Sequence, residues 1–326
     1  MTRPGFLSAV NPRLLPLAAT LVIFLVAYAI CYAQFPAMLS TRVIGNLLTD
    51  NAYLGIVAVG MTFVILSGGI DLSVGSVIAF SGVFIAVMLR DTGVHPALVF
   101  ALLLVLTTAF GAAMGGLIHG LEMPPFIVTL AGMFFARGMA YVLSIDSVPI
   151  THAFYDTLQD LRWVVPGRGR LTLIGITMLV VVVLGALVAH RTRFGANVYA
   201  LGGNASAARL MGVPVARTTV GIYALSGFLA GLAGIVFSIY TSAGYSLATV
   251  GVELDAIAAV VIGGTLLTGG RGTIVGTVLG VLIFATLSNV FTLNNQDTST
   301  QAVAKGLIIV VAVLLQQRLA RRATGT

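Results

Sequence analysis

Residues 60–75 read GMTFVILSGGIDLSVG, an apolar run that stops at a glycine-rich turn and then resumes. The apolar residues continue on both sides, over residues 46–69 before the turn and residues 73–89 after it. Each run approaches the roughly 20 residues that a helix needs to cross the hydrocarbon core of a bilayer. A helix also satisfies its backbone hydrogen bonds within one segment, as lipid requires. The stretch therefore predicts two membrane-spanning helices joined by a tight turn.

The composition of the whole chain agrees with a membrane protein. Of its 326 residues, 58% are hydrophobic and only 8% are charged, against roughly 25% charged residues in an average soluble domain. This balance excludes a soluble enzyme, a nucleic-acid-binding domain and a disordered chain. The net charge of +7 belongs to loop arginines and indicates no nucleic-acid partner. We expect an all-α polytopic helix bundle, with residues 1–326 forming one transmembrane domain in contact with lipid.

Apolar runs separated by polar breaks predict about ten transmembrane helices. They cover residues 14–33, 46–69, 73–89, 97–119, 125–145, 171–190, 217–240, 254–268, 273–292 and 302–317. Of the 17 basic residues, ten then fall in loops on one side, five in loops on the other and two within spans. Because basic residues concentrate on the cytoplasmic side of membrane proteins, this asymmetry predicts that both the N- and C-termini are cytoplasmic.

Two predicted loops are longer and more polar than the rest. Residues 146–170 lie on the predicted outer side and residues 191–216 on the predicted inner side. In the inner loop, Asn204 is predicted to cap a short helix over residues 205–211, which Gly212 ends. A helix of this length is not stable alone, so it must dock on something. It is either a contact for a partner protein or an ordinary connector.

The turn in the quoted stretch has an internal counterpart. Residues 67–75 (SGGIDLSVG) and residues 268–276 (TGGRGTIVG) both follow an apolar run and lie on the same predicted side. Either a parallel repeat, as in many transporters, or two similar glycine-rich turns explains the pair. The residues predicted to shape the first turn are Gly68, Gly69, Asp71 and Gly75. Asp71 is predicted either to cap the third span or to contact an ion or substrate.

Charged residues at or inside the predicted spans are few. Arg137 lies within the fifth span, where a buried guanidinium is costly without a partner or water. It either reaches a polar partner for structural reasons or faces a polar translocation path. Glu253 and Asp255 open the eighth span, where carboxylates favour a helix N-terminus.

Glycines spaced four residues apart predict helix-packing faces, because small residues let helix backbones approach closely in lipid. The sets are Gly111/Gly115, Gly116/Gly120, Gly227/Gly231 and Gly272/Gly276/Gly280. We interpret them as packing faces within this chain rather than as seams between two copies.

The sequence contains no catalytic or cofactor-binding motif. A phosphate-binding G-x-x-x-x-G-K-[ST] loop requires Ser or Thr after its lysine, whereas the single lysine, Lys305, precedes Gly306. The four histidines are too scattered for metal-ligand spacing. We therefore expect no catalytic residue, no metal and no bound cofactor, so that any nucleotide must be bound by another chain.

Four segments resemble the ribose-type permease family of bacterial ABC sugar importers. They are residues 60–75, 125–133 (PFIVTLAGM), 199–212 (YALGGNASAARLMG) and 253–265 (ELDAIAAVVIGGT). The resemblance implies a non-catalytic permease in the bacterial inner membrane that alternates its access between the two sides. It also implies three partners: an ATP-binding subunit that holds ATP and Mg²⁺, a second homologous permease, and a periplasmic sugar-binding protein.

A closer resemblance is to the permease subunits of galactofuranose importers. It rests on residues 40–44 (STRVI), 48–52 (LTDNA), 155–158 (YDTL) and 237–241 (FSIYT). This resemblance implies that the imported sugar is galactofuranose and that the complex contains two unlike permeases.

The resemblance further implies which residues carry the function. The implied ATPase-coupling residues are Gly203, Asn204, Ala205, Ala208, Arg209, Leu210, Met211 and Gly212. The outer segments 146–170 and 241–253 would meet the binding protein. By position alone, the candidates for the sugar path are Asn51, Thr62, Phe63, Phe134 and Arg137. The alternatives are a passive facilitator and an ion-coupled secondary sugar transporter, for which Asp71 is the only plausible membrane carboxylate.

Overall fold

A computed structural model of the protein describes residues 15–310, with gaps at 168, 298, 305 and 308–309. The α-helices are α1 Leu15–Gln34, α2 Thr41–Asp50, α3 Ala52–Leu66, α4 Val74–Thr92, α5 Pro96–Gly120, α6 Pro125–Leu143, α7 Ala153–Asp160, α8 Leu173–Arg191, α9 Arg193–Gly203, α10 Ala205–Leu210, α11 Val215–Thr241, α12 Val252–Ile262 and α13 Ile274–Leu293. A short 3-10 helix, Pro36–Leu39, precedes α2, and the strands are β1 Val148–Pro149, β2 Arg162–Val165, β3 Gly169–Thr172 and β4 Ala243–Gly244.

The helices confirm an all-α membrane bundle. Within the described ranges, six helices are long and apolar enough to cross a membrane: α4, α5, α6, α8, α11 and α13. The bent pair α2 and α3 makes a seventh if it is one span. The tenth predicted span, residues 302–317, falls largely outside the described residues.

Two predicted spans differ from the helices that form. The span predicted over residues 46–69 is broken at Asn51, where α2 and α3 meet at a bend of 57°. The amide of Asn51 turns back and donates to the Leu47 carbonyl at 3.0 Å, which ends α2. The span predicted over residues 254–268 contains only α12, whose 11 residues end at Ile262, with Gly263 as the C-cap. At 1.5 Å per residue, α12 covers about half of a roughly 30 Å hydrocarbon core.

Two contacts join loops that are predicted to lie on the same side of the membrane. At the predicted outer end, β1 pairs with β4 through Val148 opposite Gly244. At the predicted inner end, the Gly270 N–H donates to the Leu66 carbonyl at 2.9 Å. In these two places loops predicted to share a side are in contact, whereas the Thr249 hydroxyl of the predicted outer segment reaches the Gly75 carbonyl beside the predicted inner turn. Which end faces the cytoplasm stays a prediction from the arginine distribution.

The centre of the bundle is α3. From Leu54 to Leu66 every residue of this helix is buried, and its neighbours are α8, α11, α12 and α13. A helix that is apolar on all sides fits either the core of a large bundle or lipid, and the burial of α3 places it in the core. The bend at Asn51 and the turn after Leu66 therefore lie at the two ends of the most enclosed helix.

Glycine faces bring α11 and α12 against their neighbours. A Cβ built on Gly227 would lie 3.1 Å from the Gly111 Cα, so α5 and α11 touch through their backbones. A Cβ on Gly280 would overlap the Ala259 carbonyl, which joins α13 to α12 in the same way. Gly116 and Gly120 differ, because no described atom lies within 4 Å of a Cβ at either position. The prediction that this pair packs within the chain is wrong.

The backbone contact between α5 and α11 gives a matched test. Gly111→Ala and Gly116→Ala each add one methyl group to α5 and gain about 1 kcal/mol of helix propensity. At Gly111 the methyl group would overlap the Tyr223 carbonyl, and overpacking of this kind costs about 1–3 kcal/mol. We expect a lower thermal unfolding midpoint in detergent for Gly111→Ala than for Gly116→Ala. Equal midpoints would show that α5 and α11 do not touch here.

Candidate coupling and translocation sites

The predicted coupling segment folds into two consecutive helices, α9 and α10. Asn204 separates them, and its Oδ1 accepts the Ala207 N–H at 2.9 Å as the N-cap of α10. After Leu210 the chain turns at Gly212, which has a φ of 80°. The Val213 N–H then donates to the Ala208 carbonyl at 3.0 Å, which closes the last turn. Both predicted caps form, and α10 ends one residue before Met211, the predicted last residue.

Side-chain exposure divides α10 into an inner and an outer face. Ala208 is fully buried and holds the helix against the rest of the chain. Leu210 and Met211 are 89% and 73% exposed, although both are large apolar residues. The other predicted coupling residues are also exposed, namely Gly203, Asn204, Ala205, Arg209 and Gly212. The segment therefore presents two apolar side chains on a surface that nothing in the described chain covers.

Asp71 connects the first glycine-rich turn to α11. Its side chain is fully buried, and Oδ1 accepts the Ser73 N–H at 2.9 Å and the Ser73 hydroxyl at 2.6 Å. Oδ2 accepts the Ser226 hydroxyl at 2.6 Å. The N-cap residue of α4 is Ser73, so the predicted N-cap role of Asp71 is wrong. The carboxylate instead forms a local turn two residues earlier and links that turn to a distant helix.

The glycines of this turn are required by close neighbours. Gly68 has a φ of 85°, and a Cβ on Gly69 would lie 2.5 Å from the Tyr223 hydroxyl. The Gly75 carbonyl accepts the Thr249 hydroxyl at 2.8 Å, and a Cβ there would overlap a carboxylate oxygen of Glu253. A side chain at Gly69 would therefore collide with α11, and one at Gly75 would push α4 away from the start of α12.

Arg137 is held by the loop between α11 and α12. One guanidinium nitrogen donates to the carbonyls of Ser246 at 2.6 Å and Ala248 at 2.7 Å. These bonds satisfy the partly buried charge near the predicted outer end of α6. Of the two predicted roles, the geometry therefore supports a structural partner for Arg137.

The other predicted path residues do not come together around one channel. The Thr62 hydroxyl donates to the Ala58 carbonyl at 2.6 Å and lies 2.7 Å from the Thr277 hydroxyl, inside the core. Phe63 is also fully buried. Phe134 is 66% exposed on the surface of α6. Asn51 lies at the bend between α2 and α3.

Residues that the sequence analysis did not select surround Asn51. Asp50 accepts a hydrogen bond from Tyr240 at the end of α11. The Tyr53 ring packs edge-on against Phe237, with ring centroids 5.1 Å apart. These carboxylate and aromatic groups lie near the bend between α2 and α3, on the predicted outer side of the membrane. The adjacent polar residues Asp50 and Asn51 inside an apolar run were the sequence signal for this cluster.

The outer loop is anchored to α11 through Tyr155. Its hydroxyl lies 2.9 Å from the Ser238 hydroxyl, and burial raises the pKa of Tyr155 above its ordinary value. This residue therefore stays neutral and hydrogen-bonded. In the part of the chain that the structure describes, no group of three His, Cys, Asp or Glu side chains is placed to hold a metal ion.

Residues 43–313 match the family described as branched-chain amino acid transport system / permease component. The chain belongs to this permease family. It is 58% identical to the inner membrane ABC transporter permease protein YjfF of Escherichia coli K12, over 94% of this chain and 93% of that protein. It is 43% identical to the ribose import permease protein RbsC of Bacillus subtilis, over 87% of both chains.

A third relative is the fructose import permease protein FruG of Bifidobacterium longum, 39% identical over 94% of this chain and 91% of that protein. No solved structure matches the chain. The resemblance to ribose-type permeases is therefore confirmed, and the protein is a multi-pass permease of the inner membrane. Permeases of ABC importers are non-catalytic, so membership implies a separate ATP-binding subunit and a periplasmic binding protein as partners.

The buried bonds of Asp71 give a stability test. Asp71→Ala leaves three donors on Ser73 and Ser226 without their acceptor, at a cost of about 1–3 kcal/mol for each buried group. We expect a clearly lower unfolding midpoint in detergent, and a smaller decrease for Ser226→Ala, which removes one donor. Asp91→Ala is the control, because Asp91 is half exposed and pairs with the neighbouring Arg90. A midpoint for Asp71→Ala equal to that of the control would contradict the structure.

Proposed function

We propose that this permease is the membrane-spanning subunit of an ABC importer that carries a monosaccharide, galactofuranose, from the periplasm to the cytoplasm. Its access alternates between the two sides, driven by a partner ATPase. The observation that carries the proposal is α10, a capped six-residue helix that exposes Leu210 and Met211. A short helix with an exposed apolar surface needs a partner to be stable. In an ABC importer that partner is the ATP-binding subunit.

The choice of a sugar rests on the relatives and on the resembling segments. Proteins named for ribose and fructose import are 43% and 39% identical to this chain. The four segments that resemble galactofuranose permeases support galactofuranose as the cargo and a hetero-pair of permeases. In this proposal ATP and Mg²⁺ bind to the partner ATPase, and this chain binds no cofactor.

We place the first sugar contact at the bend of Asn51. Asp50, Tyr53 and Tyr240 surround it with groups that accept hydrogen bonds and offer aromatic faces, which suits a neutral polyhydroxylated ligand. Broken helices form substrate sites in many transporters. Thr62 and Phe63 are buried in this conformation, so they reach a path only if α3 moves.

The ion-coupled alternative depends on Asp71. Both of its carboxylate oxygens already accept protein hydrogen bonds, from Ser73 and Ser226. This arrangement supports a structural role for Asp71 over a role as an ion site. In this proposal the energy for transport therefore comes from ATP hydrolysis by the partner ATPase.

Uptake by the isolated complex tests the proposal. The chain is purified with its partners from the native host in mild detergent and reconstituted into proteoliposomes with the binding protein. We expect an ATPase and a second, related permease to copurify, and labelled galactofuranose to enter only when ATP is supplied. Unlabelled ribose and fructose should compete weakly. ATP-independent uptake would favour the facilitator or the ion-coupled transporter, and preferred uptake of ribose or fructose would change the assigned sugar.

The docking role of α10 is tested by charge. Leu210→Asp places a carboxylate on the exposed face of α10 and should greatly reduce the amount of ATPase that copurifies. Val164→Asp is the control, because Val164 is 77% exposed but lies on β2, in the loop at the predicted outer end of the bundle. It should retain the ATPase. Equal recovery of the ATPase with both variants would remove α10 from the interface.

A further inference from the structure

Three chain segments meet through their backbones at the predicted inner end. They are the end of α3 at Leu66, the end of α9 at Gly202 and Gly203, and the turn after α12 at Gly269 and Gly270. We call these three segments together the glycine junction. The Gly270 N–H donates to the Leu66 carbonyl at 2.9 Å. A Cβ on Gly202 would overlap that same carbonyl and lie 2.7 Å from the Gly270 nitrogen.

No side chain separates the three segments at this point. A Cβ on Gly269 would lie 2.9 Å from the Gly68 nitrogen and 3.1 Å from the Gly202 Cα. Gly269 and Gly270 also have φ values of 83° and 75°, which other residues rarely adopt. Because backbone lies directly on backbone, a displacement of one segment is opposed at once by the other two. The glycine junction is therefore stiff.

Helix α9 is fastened to its surroundings at both ends. At its start, a Cβ on Gly195 would overlap the carbonyls at the end of α8. Along its length, the Tyr199 hydroxyl donates to the Gly272 carbonyl at 2.9 Å. The Tyr199 ring also stacks on His190, with ring centroids 6.1 Å apart. Asn204 then joins α9 directly to α10, since it ends one helix and caps the other.

The segment that connects α10 to α11 is packed less tightly than the connection between α9 and α10. Gly212 has no described atom within 4 Å of a Cβ placed on it, and Pro214 and Arg217 after it are exposed. A movement of α10 is therefore carried more directly through α9 than into α11. Through α9 it reaches the glycine junction, and from there the central helix α3 and the half-length helix α12.

We propose that the glycine junction transmits the movement of α10 to α3 and α12 during transport, with Gly202 as a positioning residue. This inference rests on the proposed function, because it takes the partner on α10 to be the ATPase. The ATPase then acts on the path by shifting the inner ends of α3 and α12. The outer end of α3 carries the bend at Asn51, so the same rigid helix joins the junction to the proposed sugar contact.

Two helical glycines give the test a matched pair. Gly202→Ala inserts a methyl group into the glycine junction, whereas Gly116 lies on α5, outside the junction and the coupling segment, and no described atom lies within 4 Å of a Cβ on it. Both variants of the full complex are reconstituted with the binding protein, and sugar uptake and ATP hydrolysis are measured together. We expect Gly202→Ala to keep ATP hydrolysis and to lower the sugar transported per ATP roughly tenfold, within the usual range of coupling between sites. Gly116→Ala should keep the wild-type ratio.

The outcomes separate the inference from the function on which it rests. A wild-type complex without ATP-driven uptake rejects the proposed function. An active wild-type complex with an unchanged ratio in Gly202→Ala, or an equal loss in Gly116→Ala, overturns the inference. If the complex with Gly202→Ala does not assemble, Tyr199→Phe tests the inference instead. This substitution removes the hydrogen bond to the Gly272 carbonyl and adds no volume. A reduced ratio of sugar to ATP in Tyr199→Phe supports transmission through α9, and an unchanged ratio overturns it.

Discussion

Lipid offers no hydrogen-bond partner to a peptide group, so this chain must satisfy every interruption of its helices from within. It does so in three ways. At Asn51 a side-chain amide turns back to the preceding helix. At the first glycine-rich turn the Asp71 carboxylate accepts a backbone N–H. After α12 a backbone N–H from Gly270 reaches the last carbonyl of α3. The third solution brings distant segments into direct contact, and the proposed coupling route depends on it.

Local features were predictable from the sequence and long-range contacts were not. The caps at Asn204 and Gly212 form as predicted, because capping depends on the residue itself and on its immediate neighbours. The partner of Asp71 is Ser226, 155 residues away, and no local pattern indicates it. The short length of α12 was missed because its apolar residues run on into a glycine-rich turn. Hydropathy records that the residues are apolar, and the backbone at Gly263 decides where the helix ends.

In the candidate site, too, local features were predictable from the sequence and long-range contacts were not. The helix of the proposed coupling segment was recognisable, since a short capped helix in a polar loop is a local pattern. The path was not, because the lining of a path depends on which helix faces are left open after packing. Thr62 and Phe63 looked suitable by position, yet they are enclosed by neighbouring helices. Arg137 could be assigned a structural partner only from the carbonyls of Ser246 and Ala248, more than 100 residues away.

The enclosure of α3 also has a consequence for biogenesis. This helix is synthesised early, but α8, α11, α12 and α13, which surround it, emerge later. Until the ribosome has made residues near the end of the chain, α3 must remain in contact with lipid. From Leu54 to Leu66 its only polar side chain is that of Thr62, so its surface is compatible with lipid. Assembly therefore depends on contacts of high sequence separation, which slow folding. A truncated nascent chain leaves the central helix inserted and without the neighbours that later enclose it.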